Sequence, residues 1–126
     1  MFSVADPVRA HEIVDEMNQK NSQRRIEEQL ILDEIEERIA ESPELFERKF
    51  LVIEGPDWHR GVIGIVASRM VERFYRPVLI LSVGELDTQG SGRSIPGFHL
   101  LEAMDQCRDL LTRYGGHAQA VGCSLV

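Results

Sequence analysis

The sequence predicts an α/β fold: a small mixed sheet with flanking helices, preceded by a long N-terminal connecting helix. Three features point to it. The first fifty residues are densely charged around a narrow apolar stripe, strand, helix and strand signals then follow within about 30 residues, and an amphipathic pattern after Leu100 leads into a last strand-like run. At 126 residues, 43% of them hydrophobic, the chain is long enough for one domain with a real core and an appendage.

Asp6 is placed as an N-cap with Pro7 at the first helical position, and Ala10, Ile13, Val14 and Met17 recur on one face. The polar interval Asn18 to Ser22 interrupts the stripe, which resumes through Ile26, Leu30, Ile31, Ile35 and Ile39. The a/d pattern does not persist for the three or four heptads of a coiled coil, so the segment reads as a connecting helix that leans on a neighbouring domain. Ser42-Pro43 ends it. The division is therefore residues 1–49, a helical linker, and residues 50–126, a second domain.

Phe50-Leu51-Val52-Ile53 has the continuous apolar texture of a strand covered on both faces. Val62, Ile63, Ile65, Val66, Met70, Val71 and Phe74 give a helical stripe that stops at Arg76-Pro77, and Val78 to Leu81 is a second buried strand, which makes a right-handed parallel crossover. A turn at Gly84 to Asp87 leads to a third strand through Gly90-Ser91-Gly92-Arg93-Ser94, whose glycines admit close backbone approach. Leu100, Leu101, Met104, Cys107, Leu110, Leu111 and Tyr114 predict an amphipathic helix with Gly115 as its stop, and Gly122 to Val126 a final strand.

The formal net charge of −7 argues against a nucleic-acid partner until its placement is considered. Residues 1–50 hold 13 acidic and 7 basic side chains, whereas residues 51–126 hold 8 and 7, and all of those seven cations are arginine, whose planar fork suits phosphate oxygens. Cys107 and Cys123 read as two buried small hydrophobes. No apolar run approaches the roughly 18 residues of a membrane span, and the N-terminus lacks a signal-peptide pattern, so no membrane partner and a cytoplasmic location are expected.

Three loops combine a His or Arg with glycine: Trp58-His59-Arg60-Gly61, Gly90 to Ser94, and Gly115-Gly116-His117. Glycine lets an anion reach backbone N–H groups, and a helix start adds unsatisfied donors and a positive dipole end. The first and third loops are expected to open onto helices, with His117 at the head of Ala118-Gln119-Ala120. Trp58 reads as a core or lid residue and His99 as a cap. The scattered histidines have no metal-ligand spacing, and there is no Walker loop, nucleophile elbow or dinucleotide fingerprint. The chain can hold a phosphate but shows no means of cleaving one, so no catalytic or metal-binding residue is assigned.

Read together, Trp58 to Met70, Tyr75 to Leu81, Gly90 to Ile95 and Leu110 to Gly122 resemble the DHH-associated domain of the RecJ family, single-strand-specific 5′-to-3′ DNA exonucleases of the DHH phosphoesterase superfamily. Residues 1–49 more loosely resemble the end of the DHH domain and its connecting helix. The resemblance implies that Arg93 and His117 contact substrate, with Ser91 and Ser94 flanking the arginine, Gly115 and Gly116 giving backbone room and His59 a third contact. It implies single-stranded DNA and the DHH domain of a parent chain as partners, and Mn2+ or Mg2+ in that domain with no cofactor in this one. The piece itself is expected to be inactive and C-terminally truncated. Two departures stand out: Arg60, which would add a cation near the site, and Val121, which would loosen packing after the Gly-Gly-His turn. The alternatives are the same domain of a DHH-family oligoribonuclease or cyclic-dinucleotide phosphodiesterase, and an interaction domain that dimerises through its helix.

Overall fold

The computed structural model describes residues 7–125, with side chains from Ala10 onward; the expected N-cap Asp6 and the strand end at Val126 lie outside the described residues. Helix α1 (Pro7–Glu41) is 35 residues long, about 52 Å at 1.5 Å per residue. It runs straight through Asn18 to Ser22, where the sequence predicts a gap. Gln19 and Lys20 are good helix formers, Asn18, Asn21 and Ser22 only mediocre ones, and without Gly or Pro nothing stops propagation. Exposed side-chain pairs help, as Gln23 donates to Glu27 at 3.1 Å and Gln29 to Asp33 at 2.8 Å.

Only the last turns of α1 are anchored. Val14, Met17, Ile26 and Leu30 stay exposed, while Ile31 and Ile35 are buried. Trp58 Nε1 donates to Glu34 at 2.8 Å, the Arg38 guanidinium lies 5.2 Å above the Trp58 ring centroid, and Arg38 also donates to the Glu54 carbonyl. Trp58 is thus a core pin, lying so close over Gly55 that a Cβ there would fall 1.9 Å from its ring.

After a short turn of 3-10 helix at Pro43–Phe46 come β1 (Leu51–Pro56), α2 (Ile63–Phe74), β2 (Val78–Val83), β3 (Thr88–Arg93), α3 (Leu100–Gln106), β4 (Arg113–Gly116) and β5 (Ala120–Leu125). The sheet order is β1-β2-β3-β5-β4, with β1 and β2 parallel, as the crossover predicts, and the other pairs antiparallel. The mixed sheet with flanking helices and a leading long helix agrees with the sequence reading. Alternation sends Leu51, Ile53, Val78 and Ile80 into a core with α2, Ile31, Ile35 and Phe46, each large aliphatic contributing about 1.5–3 kcal/mol. Leu79, Val121 and Cys123 enter a second core on the other face, beneath Leu100 and Met104 of α3.

Four expectations fail here. β1, expected to be covered on both faces, is an edge strand that leaves Val52 exposed. The helix after Leu100 stops at Gln106, and Leu111 and Tyr114 reach the second core from a 3-10 turn and a strand, because helix and strand spacings can deliver the same side chains to one side. Ala118-Gln119-Ala120 starts no helix: the chain reverses in a β4–β5 hairpin closed by His117 N–H donating to the Ala120 carbonyl at 2.9 Å, with Gly116 at φ 141°. Cys107 is exposed, since the early stop turns it outward, while Cys123 is buried. The close approach expected at the β3 glycines is made by core side chains: a Cβ on Gly90 would fall 2.7 Å from Cys123 Sγ and one on Gly92 2.9 Å from Val121.

Candidate nucleic-acid interface

Register decides which side chains share a face. The rows Arg93–Ala120, Ser91–Gly122–Gly115 and Gln89–Ser124–Arg113 lie on the face that α2 packs against. Helix α2 packs on β2 and β3 and leaves β5 and β4 bare, so Gly115, Gly122 and Arg113 are exposed. The result is an open shelf with a glycine floor. The fold itself makes little demand for those glycines: a Cβ on Gly115 would meet nothing within 4 Å, and one on Gly122 only the Gly90 carbonyl at 3.9 Å. Gly116 is different, because its Cβ would strike the Ala120 carbonyl at 2.2 Å.

Arg93 closes one end of the shelf. Its Nη1 donates to the Gly92 carbonyl at 2.7 Å, and its Nη2 lies 2.8 Å from where a Cβ of Gly64 would be, so Gly64 lets the guanidinium reach the first turn of α2. Val62, the N-cap of α2, gives no side-chain cap, which leaves first-turn N–H donors and the positive dipole end beside Arg93 and Ser91. A glycine-opened helix start and a guanidinium do converge, at the loop after Trp58 rather than at Gly-Gly-His. Of the seven arginines in residues 51–126, four are already engaged: Arg60 with Asp87 at 2.7 Å, Arg69 with Glu28 at 3.3 Å, Arg73 with Glu36, and Arg76 with the Phe46 carbonyl at 2.6 Å. Among the described residues Arg93, Arg108 and Arg113 have no carboxylate within 4 Å. Arg60, expected to add a cation to the site, is spent on the Asp87 turn.

His117 stands at the hairpin turn, two strands from Arg93 with Ala120 between them, about 10 Å at the backbone. Its Nδ1 accepts the Gln119 N–H at 3.2 Å; His59 Nδ1 likewise accepts from Gly61 at 3.0 Å, and His99 Nδ1 from Glu102 at 3.2 Å, the cap expected of it. In the neutral ring this fixes the proton on Nε2, which becomes an outward donor. His59 lies in the loop entering α2, and Val62 N–H donates to its carbonyl at 3.0 Å. The Ser94 hydroxyl donates to the Phe98 carbonyl at 2.9 Å and so holds the turn before α3, whereas Ser91 has no side-chain partner among the described residues. Val121 is buried below the shelf against Leu100 and Gly92, where it fills the second core.

Arg113 is the residue that sequence reasoning passed over as a site member. Its signal, a cation two positions before Gly115 and hence on the same strand face, is invisible while the segment is read as helix. Among the described residues no three His, Cys, Asp or Glu side chains are grouped as a metal ion requires, so this chain's described residues do not form a metal centre. Among them, too, no helix is long and apolar enough to cross a membrane.

Residues 47–126 match the DHHA1 domain family. The single-stranded-DNA-specific exonuclease RecJ of Bacillus subtilis is 38% identical over 122 residues, 95% of this chain and 15% of that protein. The RecJ of Dickeya dadantii is 51% identical over 81 residues, 60% of this chain and 14% of that protein. The crystal structure of RecJ in complex with Mn2+ from Thermus thermophilus superposes with a TM-score of 0.81 at 35% identity, covering 96% of this chain and 17% of that one. The chain thus spans 14–17% of the length of these relatives. Through residues 47–126 it belongs to the DHHA1 domain family, and its relatives there are RecJ exonucleases.

Proposed function

We propose that this chain is the substrate-gripping domain of a RecJ-like, single-stranded-DNA-specific 5′-to-3′ exonuclease, with residues 1–49 serving as the helical link to a DHH domain outside this sequence. The observation that carries the reading is Arg93, free of carboxylates and set against the uncapped first turn of α2 at the edge of a glycine-floored shelf. A phosphate placed there meets a forked guanidinium, first-turn N–H groups and the Ser91 hydroxyl. Charge-assisted hydrogen bonds of this kind are about twice as strong as neutral ones. His117, across β5, offers its Nε2–H to the same strand, and His59 stands at the mouth of the α2 loop. Gly115 and Gly122 let the sugar-phosphate chain lie against the sheet. Contacts of this type grip a backbone without reading bases, and one strand lying flat on a shelf suits a single-strand preference.

Hydrolysis belongs to the DHH domain, with Mn2+ or Mg2+ as its metal; the related structures of RecJ in complex with those ions are consistent with this. This chain binds and orients. The test is a titration of the purified chain with a 5′-phosphorylated single-stranded oligonucleotide followed by NMR. Arg93→Ala is expected to weaken binding about tenfold or more, and Arg93→Lys to restore part of it as a point charge without the fork. Unchanged affinity in Arg93→Ala, or cleavage of DNA by the chain alone, defeats the reading.

A further inference from the structure

Resting on that reading of Arg93, we infer that the shelf is a track rather than a single phosphate seat, and that Arg113 receives a second phosphate further along the same strand. The three strands that form it, β3, β5 and β4, contain two arginines and no acidic residue, in a chain whose formal net charge is −7. The arginines stand at opposite corners. Arg93 lies in the row with Ala120, and Arg113 in the row with Ser124, two rows further along and two strands across. At about 3.4 Å per residue and 4.8 Å per strand, their backbones are roughly 17 Å apart, a distance an extended single strand covers in two to three nucleotide steps.

The space between them is open and polar. A cavity of about 540 Å³ is lined by Gln89, Ser91, Arg113, Gly115, Gly122 and Ser124 among its walls. Among the described residues the side chains of Gln89, Ser91 and Ser124 donate hydrogen bonds to no other residue, which leaves them available to sugar and phosphate oxygens. Of the acids beyond the strands, half-buried Asp87 in the turn before β3 is paired with Arg60 at 2.7 Å, and Asp105 accepts the Tyr114 hydroxyl at 2.8 Å. The ligand is therefore a single strand of about four nucleotides laid diagonally over β3, β5 and β4, gripped at both ends by guanidinium groups and resting on glycine between them.

The test compares a 5′-phosphorylated thymidine dinucleotide, too short to reach both arginines, with the hexanucleotide, each titrated into the full chain and into its variants. Arg113→Ala is expected to weaken hexanucleotide binding about tenfold and to lower its salt slope by about 0.7, while leaving the dinucleotide unchanged. Arg113→Lys should keep the salt slope and part of the affinity. Because Arg113 is exposed, an unchanged spectrum of the free variant checks its fold. If Arg93→Ala weakens both ligands but Arg113→Ala weakens neither, the track is wrong and the seat at Arg93 stands. Equal weakening of both ligands by Arg113→Ala also overturns the track, since both arginines would then serve one phosphate. If Arg93→Ala weakens neither ligand, the underlying reading falls, and this inference with it.

Discussion

Adding one methyl group at Gly115 and, separately, at Gly116 separates what the hairpin needs from what a ligand needs. Gly116 has φ 141°, and an added Cβ would meet the Ala120 carbonyl at 2.2 Å and Val121 Cα at 2.8 Å, both backbone atoms of the paired strand. Neither can yield without opening the turn. A strained conformation costs about 1–3 kcal/mol before any clash, so Gly116→Ala is expected to lose about 2–4 kcal/mol. At Gly115 the added Cβ meets nothing within 4 Å, and restricting the unfolded chain should stabilise by about 0.4–1 kcal/mol. The same methyl stands in the shelf, where it holds a strand off the floor and should weaken oligonucleotide binding about tenfold. Urea unfolding of the two variants, alongside the NMR titration of Gly115→Ala, reads both effects. Equal destabilisation by both substitutions, or undiminished binding by Gly115→Ala, would refute the reasoning.

Gly64→Ala tests the seat from the other side: the new Cβ displaces the Arg93 guanidinium from α2, so binding should fall while the melting temperature holds, the obstacle being the end of a flexible side chain. Ile35→Ala empties a fully buried site under α1 and should cost about 2–4 kcal/mol by urea unfolding, whereas Met17→Ser on the exposed stretch should stay within about 0.5 kcal/mol. A thiol reagent at neutral pH should modify Cys107 quickly and Cys123 only on unfolding, because burial pushes the Cys123 thiol above its ordinary value of 9. Tyr114 donates to Asp105 at 2.8 Å, a hydrogen bond that raises its phenol above the ordinary value of 10. A raised folded value means this contribution is present below pH 10 and is lost as pH climbs through the folded value, so Tyr114→Phe should flatten the alkaline decline of the denaturant midpoint.

The first half of the DHHA1 domain was legible because its signals are local and unambiguous. Two short apolar runs flank an amphipathic stripe, Pro77 ends the helix, and the parallel crossover has one usual hand. The second half misled because Leu100 to Tyr114 satisfies a helical period while half of it is turn and strand, and because Ala118-Gln119-Ala120 favours helix in isolation but is too short to outweigh the pairing of Gly116 with Val121. The candidate site suffered accordingly. Arg93 and the glycines were visible as residue types beside one another, but Gly64 and Arg113 depend on register and crossover packing, which no local pattern records. Of the two helix starts expected beside the glycine loops, only the one after Trp58 to Gly61 forms, at the head of α2 beside Arg93.

The anchoring of α1 by its final turns makes it a lever. From Glu28, which Arg69 holds at 3.3 Å, back to Pro7 the free arm is about 32 Å, so a tilt of about 5° at its root sweeps its far tip through about 3 Å. Whatever grips that tip would then find the shelf aligned or misaligned according to the few contacts at the root of the helix, from Glu28 to Arg38.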